Sequence, residues 1–147
     1  MPKFYAASRT ENWYLTDTIA DALTAKGWIH TYRWTRHGSV GKEQHERKAE
    51  IALLETNGVK DADVLIVFGP GGRGTHCEIG IALGANKPIF LWAKNEKVLQ
   101  NDDDMDTPFY HHPNVTRCFC HQDDIIKNII AWSKRIKDQL PVVYTRL

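Results

Sequence analysis

An unbroken apolar run at Val64–Phe68, followed at once by the glycine-rich segment Gly69–Gly74, constrains the fold of this chain more than any other feature. A strand that is apolar at every position is typical of the centre of a parallel sheet, because helices cover both of its faces. A glycine loop between such a strand and a helix lets backbone N–H groups approach a phosphate, and the helix dipole adds to the attraction. The segment therefore predicts a phosphate-binding turn in an α/β domain.

The rest of the chain alternates between strand-like and helix-like patterns. The predicted strands are Phe4–Ala7, Trp28–Trp34, Val64–Phe68, Pro88–Trp92 and Val115–Cys120. The predicted helices are Trp13–Lys26, Glu43–Asn57, Thr75–Leu83 and Asp123–Gln139. Strands joined by helix-length crossovers predict a single Rossmann-like (flavodoxin-like) α/β domain over residues 1–147, with a parallel five-stranded sheet and helices on both faces. Ligands of such sheets bind beyond the carboxyl ends of the strands, so the loops after the first and third strands are expected to carry the chemistry.

Several local details follow from the same patterns. Gly27 and the Asn57-Gly58 pair are predicted to end helices, since glycine and asparagine are favoured just past a helix terminus. Ile51 and Leu54 are predicted to face the core. Residues 36–41 and the long polar stretch 94–114 are predicted to be loops.

The overall charge argues against a polyanionic partner. With 19 Lys and Arg against 18 Asp and Glu, the net charge is +1, so no field exists that would recruit nucleic acid or a membrane surface. A small molecule is the expected partner. The odd number of cysteines, the absence of a signal-peptide pattern and the absence of a run of about 18 apolar residues favour the cytoplasm.

No cofactor or metal is expected. The glycine spacing matches neither the dinucleotide G-x-G-x-x-G pattern nor the Walker pattern, since no Gly-Lys-Ser/Thr follows. Cys118 and Cys120 lack the second pair of ligands that a structural zinc site uses.

Glu78 has two interpretations that do not exclude each other. Thr75-x-x-Glu78 has the pattern of a capping box, in which threonine caps a helix and glutamate returns the bond. Alternatively, Glu78 lies one turn from phosphate-holding amides and is placed to meet the anomeric carbon of a bound sugar. The glycine-rich entry favours the functional interpretation, because glycine is entropically costly where nothing requires it.

The segment around Glu78 resembles the nucleoside 2-deoxyribosyltransferase superfamily, which includes deoxynucleoside 5′-monophosphate N-glycosidases. In that superfamily a strand ends in small residues, followed by Glu-apolar-Gly and a helix that ends in G-x-x-K-P, here Glu78–Gly80 and Gly84–Pro88. The resemblance implies that Glu78 is the nucleophile in cleavage or transfer at an N-glycosidic bond. It also implies that Glu55, eight positions before Asp63, is the acid or base, although the family usually has aspartate there.

The same resemblance implies the substrate-binding residues. Tyr5 is implied as an aromatic wall, and Ser8 and Arg9 as ligands of a hydroxyl or phosphate group. Arg73 and the backbone amides of the turn complete a candidate 5′-phosphate site, which comprises Ser8, Arg9, Gly71, Gly72, Arg73, Gly74 and Thr75. A neighbouring subunit completes the active site in deoxyribosyltransferases, which implies a homodimer or higher homo-oligomer. Trp34, Trp92 and Tyr32 are candidates for stacking on a base.

Two alternative functions stay open, and the first comes from a second resemblance. Pro70–Glu78 matches the PGGxGTxxE signature of the cytokinin-activating phosphoribohydrolases, which implies cleavage of a modified adenosine monophosphate. Their catalytic arginine would correspond to Arg47, but Arg47 lies sixteen positions before Asp63. That is about two helical turns, or ~10–12 Å, too early for the catalytic place. The other alternative is a non-catalytic nucleotide-binding sensor.

Overall fold

The computed structural model describes residues 2–37, 45–100 and 106–144, except for the side chains of 138–144. The strands are β1 (Lys3–Ser8), β2 (Ile29–His30), β3 (Val64–Phe68), β4 (Ile89–Ala93) and β5 (Val115–Phe119). The α-helices are α1 (Trp13–Ala25), α2 (His45–Asp61), α3 (Arg73–Gly84), α4 (Glu96–Gln100) and α5 (Ile125–Tyr144). Short 3₁₀ turns lie at Thr10–Asn12, Trp34–Arg36, Pro108–His111 and Gln122–Asp124.

The five strands form one sheet in the order β2-β1-β3-β4-β5, and every pair is parallel. This is the flavodoxin-like order, so the predicted fold class is confirmed. The chain leaves β1 toward one edge of the sheet and leaves β3 toward the other. The carboxyl ends of β1 and β3 therefore form the switch point at which such sheets bind ligands.

Helices cover both faces of the sheet, because alternate side chains of each strand point to opposite sides. One apolar cluster packs β-strand residues against α1 and α5, with Phe4, Phe68 and Trp132 among its largest members. The other cluster packs the alternate strand residues, such as Tyr5 and Val67, against α2, α3 and α4. Two buried layers hold the sheet rigid below the loops at its carboxyl edge.

The predicted strand at Trp28–Trp34 is wrong in extent. The edge strand β2 pairs with β1 only through Ile29 and His30. Beyond it, the Thr31 hydroxyl donates to the carbonyl of Gly58 at 2.6 Å. Trp34 enters a 3₁₀ turn, and its indole Nε1 donates to the carbonyl of Ala6 at 2.8 Å. Side-chain bonds to the core thus replace the strand ladder.

The predicted helix end at Asn57-Gly58 is also wrong, since α2 runs on to Asp61. A Cβ at Gly58 would lie 2.8 Å from Cβ of Tyr32 and 3.0 Å from the Tyr5 ring. Close packing therefore explains the glycine inside the helix, and it outweighs the low helix propensity. The expected start of this helix, 43–44, lies outside the described residues.

The core-facing residues expected on α2 are not in the core. Ile51 is half-buried, and Leu54 is 40% exposed. By contrast, α1 ends as predicted, with Gly27 at a φ of 93°.

The polar stretch 94–114 is more ordered than a loop. It contains α4 and the 3₁₀ turn Pro108–His111, while 101–105 lies outside the described residues. Among the described residues, no helix has both the length and the apolar character that crossing a bilayer requires.

Candidate active site

A cleft of about 920 Å³ opens at the carboxyl ends of β1 and β3. The loops after these two strands meet there because the strands are neighbours in the sheet. The residues that line the cleft are Ser8, Arg9, Thr10, Glu11, Trp13, Trp34, Thr35, His37, Ile51, Glu55, Gly72, Arg73, Gly74, Thr75 and Glu78.

Eight of the ten residues predicted for the site lie on the wall of this cleft. They are Ser8, Arg9, Glu55, Gly72, Arg73, Gly74, Thr75 and Glu78. The two others lie directly behind the wall. Tyr5 is fully buried in β1, and Gly71 is buried in the turn after β3. The structure thus brings together residues from four separate elements of the chain.

The helix that carries Glu78 begins two residues earlier than the sequence predicts, at Arg73. Thr75 is then the third helical residue, and its Oγ1 accepts a hydrogen bond from the Gly72 amide at 3.1 Å. The capping box predicted for Thr75 and Glu78 is therefore wrong. The helix begins earlier than predicted because the glycines allow an extended backbone to turn directly into the helix at Gly72. Glu78 is left without a capping role.

Glu78 is a buried carboxyl group in the wall of the cleft. Its side chain is only 6% exposed, and no described residue makes a hydrogen bond to its buried Oε2. The pKa of Glu78 is raised to about 8, chiefly by burial, and the nearby charge of Glu55 contributes to the rise. A favourable interaction with the Tyr5 hydroxyl opposes part of this rise in the pKa. The carboxyl is therefore held at the boundary between its two protonation states near neutral pH.

Tyr5 lies next to Glu78 from the sheet side. Its hydroxyl is buried and makes no hydrogen bond of normal geometry to a described residue. Burial, and then the negative charge of Glu78, raise the pKa of Tyr5 well above its usual range. Tyr5 thus presents a neutral O–H to the Glu78 carboxyl.

Glu55 is paired with a histidine that sequence reasoning missed. Oε1 of Glu55 lies 3.2 Å from Nε2 of His37, and both side chains line the cleft. The guanidinium of Arg47 donates to the backbone carbonyl of His37. His37 falls in a segment that its sequence marks only as a loop, so the one available signal was a histidine shortly before the helix that carries Glu55.

Arg47 is not among the residues that line the cleft. It supports the loop that carries His37 instead. This placement agrees with the spacing argument, which puts Arg47 too early in the helix to reach the position of a catalytic arginine.

Two of the predicted amide donors are already used inside the protein. The N–H of Gly71 donates to the Tyr110 hydroxyl at 2.9 Å, and the N–H of Gly72 donates to Thr75. The amides that remain at the start of α3 are those of Arg73, Gly74 and Thr75, whose N–H groups have no intrahelical acceptor in the first turn of a helix. These N–H groups lie at the N-terminal end of α3, where the helix dipole is positive, and this end of the helix lines the cleft.

Two further residues hold Arg9 at this end of the cleft. Nε of Arg9 donates to the carbonyl of Gly71 at 3.2 Å. The Ser8 hydroxyl lies 2.7 Å from Oγ1 of Thr16 and donates to the carbonyl of Arg9 at 2.8 Å. Ser8 therefore stabilises the turn that presents Arg9, and its hydroxyl already has internal partners.

Among the aromatic candidates, only Trp34 lines the cleft. Its indole N–H is anchored to the Ala6 carbonyl, whereas Trp92 lies in the core and Tyr32 lies behind the wall. Sequence reasoning missed Trp13, which is 51% exposed at the mouth of the cleft. Its position at the start of α1, just after the β1 loop, was the available signal.

The cysteines form no disulfide in the described part of the chain. The sulfurs of Cys118 and Cys120 are 3.8 Å apart, and Cys77 is exposed. Within the described residues, no group of three His, Cys, Asp or Glu side chains is arranged to hold a metal ion.

Comparison with solved structures places the chain in a known fold. The CMP N-glycosidase BcmB of Clostridium botulinum superposes with a TM-score of 0.61 at 18% identity, over 88% of this chain and 98% of that one. A conserved protein from Enterococcus faecalis V583 superposes with a TM-score of 0.58 at 19% identity, over 89% of this chain and 98% of that one. No protein-family model matches the sequence, and no curated protein matches it. The chain therefore shares its fold with a CMP N-glycosidase.

Proposed function

We propose that this protein cleaves the N-glycosidic bond of a nucleoside 5′-monophosphate, with Glu78 as the nucleophile. The observation that carries the proposal is that the buried Glu78 carboxyl, the start of α3 and the second carboxylate, Glu55, line one cleft. The fold shared with BcmB, itself a CMP N-glycosidase, adds support. The resemblance of Glu78–Gly80 and Gly84–Pro88 to the deoxyribosyltransferase superfamily favours the same chemistry.

The end of the cleft at the start of α3, here called the phosphate end, favours a nucleotide over a nucleoside as the substrate. Arg9, Arg73 and the first-turn amides of α3 converge there, and a phosphate accepts charge-assisted hydrogen bonds from such donors. A 5′-phosphate held at these groups leaves the sugar over Glu78, one turn farther along the helix. Trp34, with its ring fixed by the Ala6 carbonyl, is our candidate for contact with the base.

In the first step, an oxygen of the ionised Glu78 carboxylate forms a bond to C1′ while the bond from C1′ to the base nitrogen breaks. The bonding electron pair leaves with the base, and Glu55 supplies the proton that neutralises it. The proton on Glu55 is shared with Nε2 of His37, which lies 3.2 Å from Oε1 of Glu55. The products of this step are the free base and a glycosyl ester on Glu78.

In the second step, a water oxygen attacks C1′ and the ester bond to Glu78 breaks. The proton of that water goes to the Glu55 carboxylate, which restores the acid for the next turnover. The sugar 5-phosphate leaves with the configuration of the starting nucleotide, because two displacements have occurred. If a second base replaces water, the same intermediate gives transfer.

The burial of Glu78 has a direct consequence for this chemistry. With a pKa of about 8, only about a tenth of the carboxyl groups are ionised at pH 7 in the ligand-free protein. The desolvated carboxylate is a stronger nucleophile than a hydrated one, and the positive charge that develops at C1′ stabilises it in the transition state. Burial thus lowers the ionised fraction of Glu78 and raises the nucleophilicity of the carboxylate that is ionised.

Release of free base from a panel of ribo- and deoxyribonucleosides and their 5′-monophosphates tests the proposal. We expect base release from at least one monophosphate, with its nucleoside cleaved more slowly, and we expect Glu78→Gln to abolish it. A modified adenosine monophosphate in the same panel tests the phosphoribohydrolase alternative. Binding of a nucleotide that survives Glu78→Ala, with no base released by the wild type, would favour the sensor alternative and overturn the proposal.

A further inference from the structure

Tyr110 joins the turn after β3 to a part of the chain remote from the cleft. It lies in the 3₁₀ turn Pro108–His111, and it is 1% exposed. Its hydroxyl accepts the N–H of Gly71 at 2.9 Å and lies 2.8 Å from Nε2 of His76. The side chain is therefore fixed by two polar contacts, and both lie at the start of α3.

The directions of these hydrogen bonds are set by their donors. The Gly71 N–H can only donate, so the Tyr110 oxygen accepts it, and the Tyr110 proton is free to bond to Nε2 of His76 in the imidazole tautomer that carries its own proton on Nδ1. Burial, and then the charge of Arg9, lower the pKa of His76, which favours the neutral imidazole that this bond requires. Gly71, Tyr110 and His76 form a continuous chain of hydrogen bonds.

The next peptide group, which begins with the carbonyl of Gly71, is held from the cleft side by Arg9. Its carbonyl accepts the Nε–H of Arg9 at 3.2 Å. A Cβ at Gly71 would lie 2.8 Å from Cγ2 of Thr75 and 3.3 Å from Nε2 of His76, so the turn is packed closely against α3. Tyr110 and Arg9 are therefore coupled through one residue.

We propose that Tyr110 is a positioning residue that holds the Gly71 turn, and through it Arg9, in the geometry that binds a substrate phosphate. The proposal rests on the proposed function for its assignment of the phosphate end of the cleft. Without the hydroxyl, the buried Gly71 N–H has no acceptor, and burying an unpaired amide is costly. The Pro70–Gly71 peptide then rotates toward another acceptor, and the change in the Gly71 dihedral angles displaces the next peptide, whose carbonyl orients Arg9.

Tyr110→Phe tests this inference, because it removes one oxygen and keeps the buried ring. We expect KM for a nucleoside 5′-monophosphate to rise about three- to tenfold with kcat little changed, as the loss of one hydrogen bond predicts. The kinetic constants for the matching nucleoside should not change, since it has no phosphate. A residue with a purely structural role would affect both substrates alike.

Three further variants sharpen the result. His76→Ala removes the acceptor of the Tyr110 proton and should give a smaller effect in the same direction, while His76→Gln offers an amide oxygen and should restore part of it. Tyr14→Phe is the matched control, because Tyr14 is 71% exposed and lies outside the cleft. It should behave as the wild type.

Calorimetric titration with inorganic phosphate provides a readout that does not depend on turnover. We expect Tyr110→Phe to weaken phosphate binding and Tyr14→Phe to leave it unchanged. If the wild type releases no base from any substrate, the proposed function fails and this titration alone decides the inference. Equal phosphate binding by Tyr110→Phe and the wild type, no binding by either, or equal changes toward nucleotide and nucleoside would overturn it.

Discussion

Oε1 of Glu55 lies 3.2 Å from Nε2 of His37 in the ligand-free cleft. The two residues come from different parts of the fold, the helix α2 and the loop that follows the Trp34–Arg36 turn. The backbone of His37 is itself held by Arg47. A carboxyl group and an imidazole at this distance share a hydrogen bond along which a proton can pass, and this is the role we propose for the pair.

Replacing His37 by glutamine should slow departure of the base. General acid catalysis contributes about 10²–10⁴-fold, so we expect a loss in kcat of about 10²-fold for His37→Gln and a larger loss for Glu55→Gln. The check is single-turnover base release. His121→Gln serves as the matched control, because that imidazole is largely exposed and lies outside the cleft.

The same variants can be distinguished from structural damage by the leaving group. A sugar 5-phosphate that carries nitrophenolate needs no proton when it leaves. In a single turnover, both His37→Gln and Glu55→Gln should therefore release nitrophenolate at close to the wild-type rate. Equal losses on the natural base and on nitrophenolate would contradict the proton relay.

The rate should depend on pH through Glu78. Because burial raises the pKa of Glu78 to about 8 and the nucleophile must be ionised, kcat/KM should rise about tenfold per pH unit below pH 8. It should level off above pH 8, as Glu78 becomes fully ionised. A profile of kcat/KM that is flat between pH 6 and 8 would contradict the assignment.

The raised pKa also affects stability. Glu78 keeps its proton in the folded state up to about pH 8, whereas in the unfolded chain it loses the proton near 4.5, the ordinary pKa of a glutamate. The stabilisation that protonated Glu78 contributes is therefore fully present below pH 4.5 and is lost as the pH rises through 8. Relative to the wild type, Glu78→Gln should become more stable between pH 5 and 9, by on the order of a few kcal/mol.

Urea unfolding of both proteins across this pH range provides the measurement. Glu96→Gln is the control, because Glu96 is exposed and should show no such trend. A difference in free energy of unfolding that does not change with pH would mean that the folded-state pKa of Glu78 is ordinary.

Arg9 should discriminate phosphorylated from unphosphorylated substrates. Loss of a charge-assisted hydrogen bond is worth about 1.5–3 kcal/mol, so Arg9→Gln should raise KM for the nucleotide about 10- to 100-fold. The nucleoside should be unaffected. Arg36→Gln, which changes an exposed arginine that does not line the cleft, controls for net charge. An equal effect of Arg9→Gln on both substrates would place the phosphate elsewhere.

Two leucines on α2 support the proposal that the chain forms a homodimer or higher homo-oligomer. Leu53 is 62% exposed and Leu54 is 40% exposed, on the helix that also carries Glu55. We expect light scattering to give a mass above that of the single chain, and Leu53→Glu to lower it. A single-chain mass for the wild type at micromolar concentration would contradict this expectation.

Much of the fold can be predicted from sequence because its signals are local. The apolar runs Val64–Phe68 and Pro88–Trp92 predict buried parallel strands, and the strands found there, β3 and β4, both lie inside the sheet. The edge strand β2 could not be delimited, since its end depends on bonds from Thr31 and Trp34 to distant residues. Gly58 was misread because its close contact with Tyr5 and Tyr32 appears only in the folded chain.

The candidate site likewise has residues that a local motif predicts and residues that only the folded chain brings together. The segment that carries Glu78 has a compact motif, and the family resemblance implies Glu55 as the second carboxylate; both residues line the cleft. His37, Trp13 and Tyr110 belong to no motif, and their places in the site depend on how loops pack. Sequence also could not show that the amide of Gly71 has an internal acceptor, because Tyr110 is distant in the chain.

Trapping the covalent intermediate tests the central claim most directly. A 5′-monophosphate with fluorine at C2′ slows both steps, because fluorine destabilises the positive charge at C1′, and an activated leaving group keeps the first step fast. After acid quench and digestion, we predict that mass spectrometry finds the sugar phosphate on the peptide that contains Glu78, and finds none in Glu78→Gln. Base release with no label on Glu78, or with the label on another residue, would contradict the account.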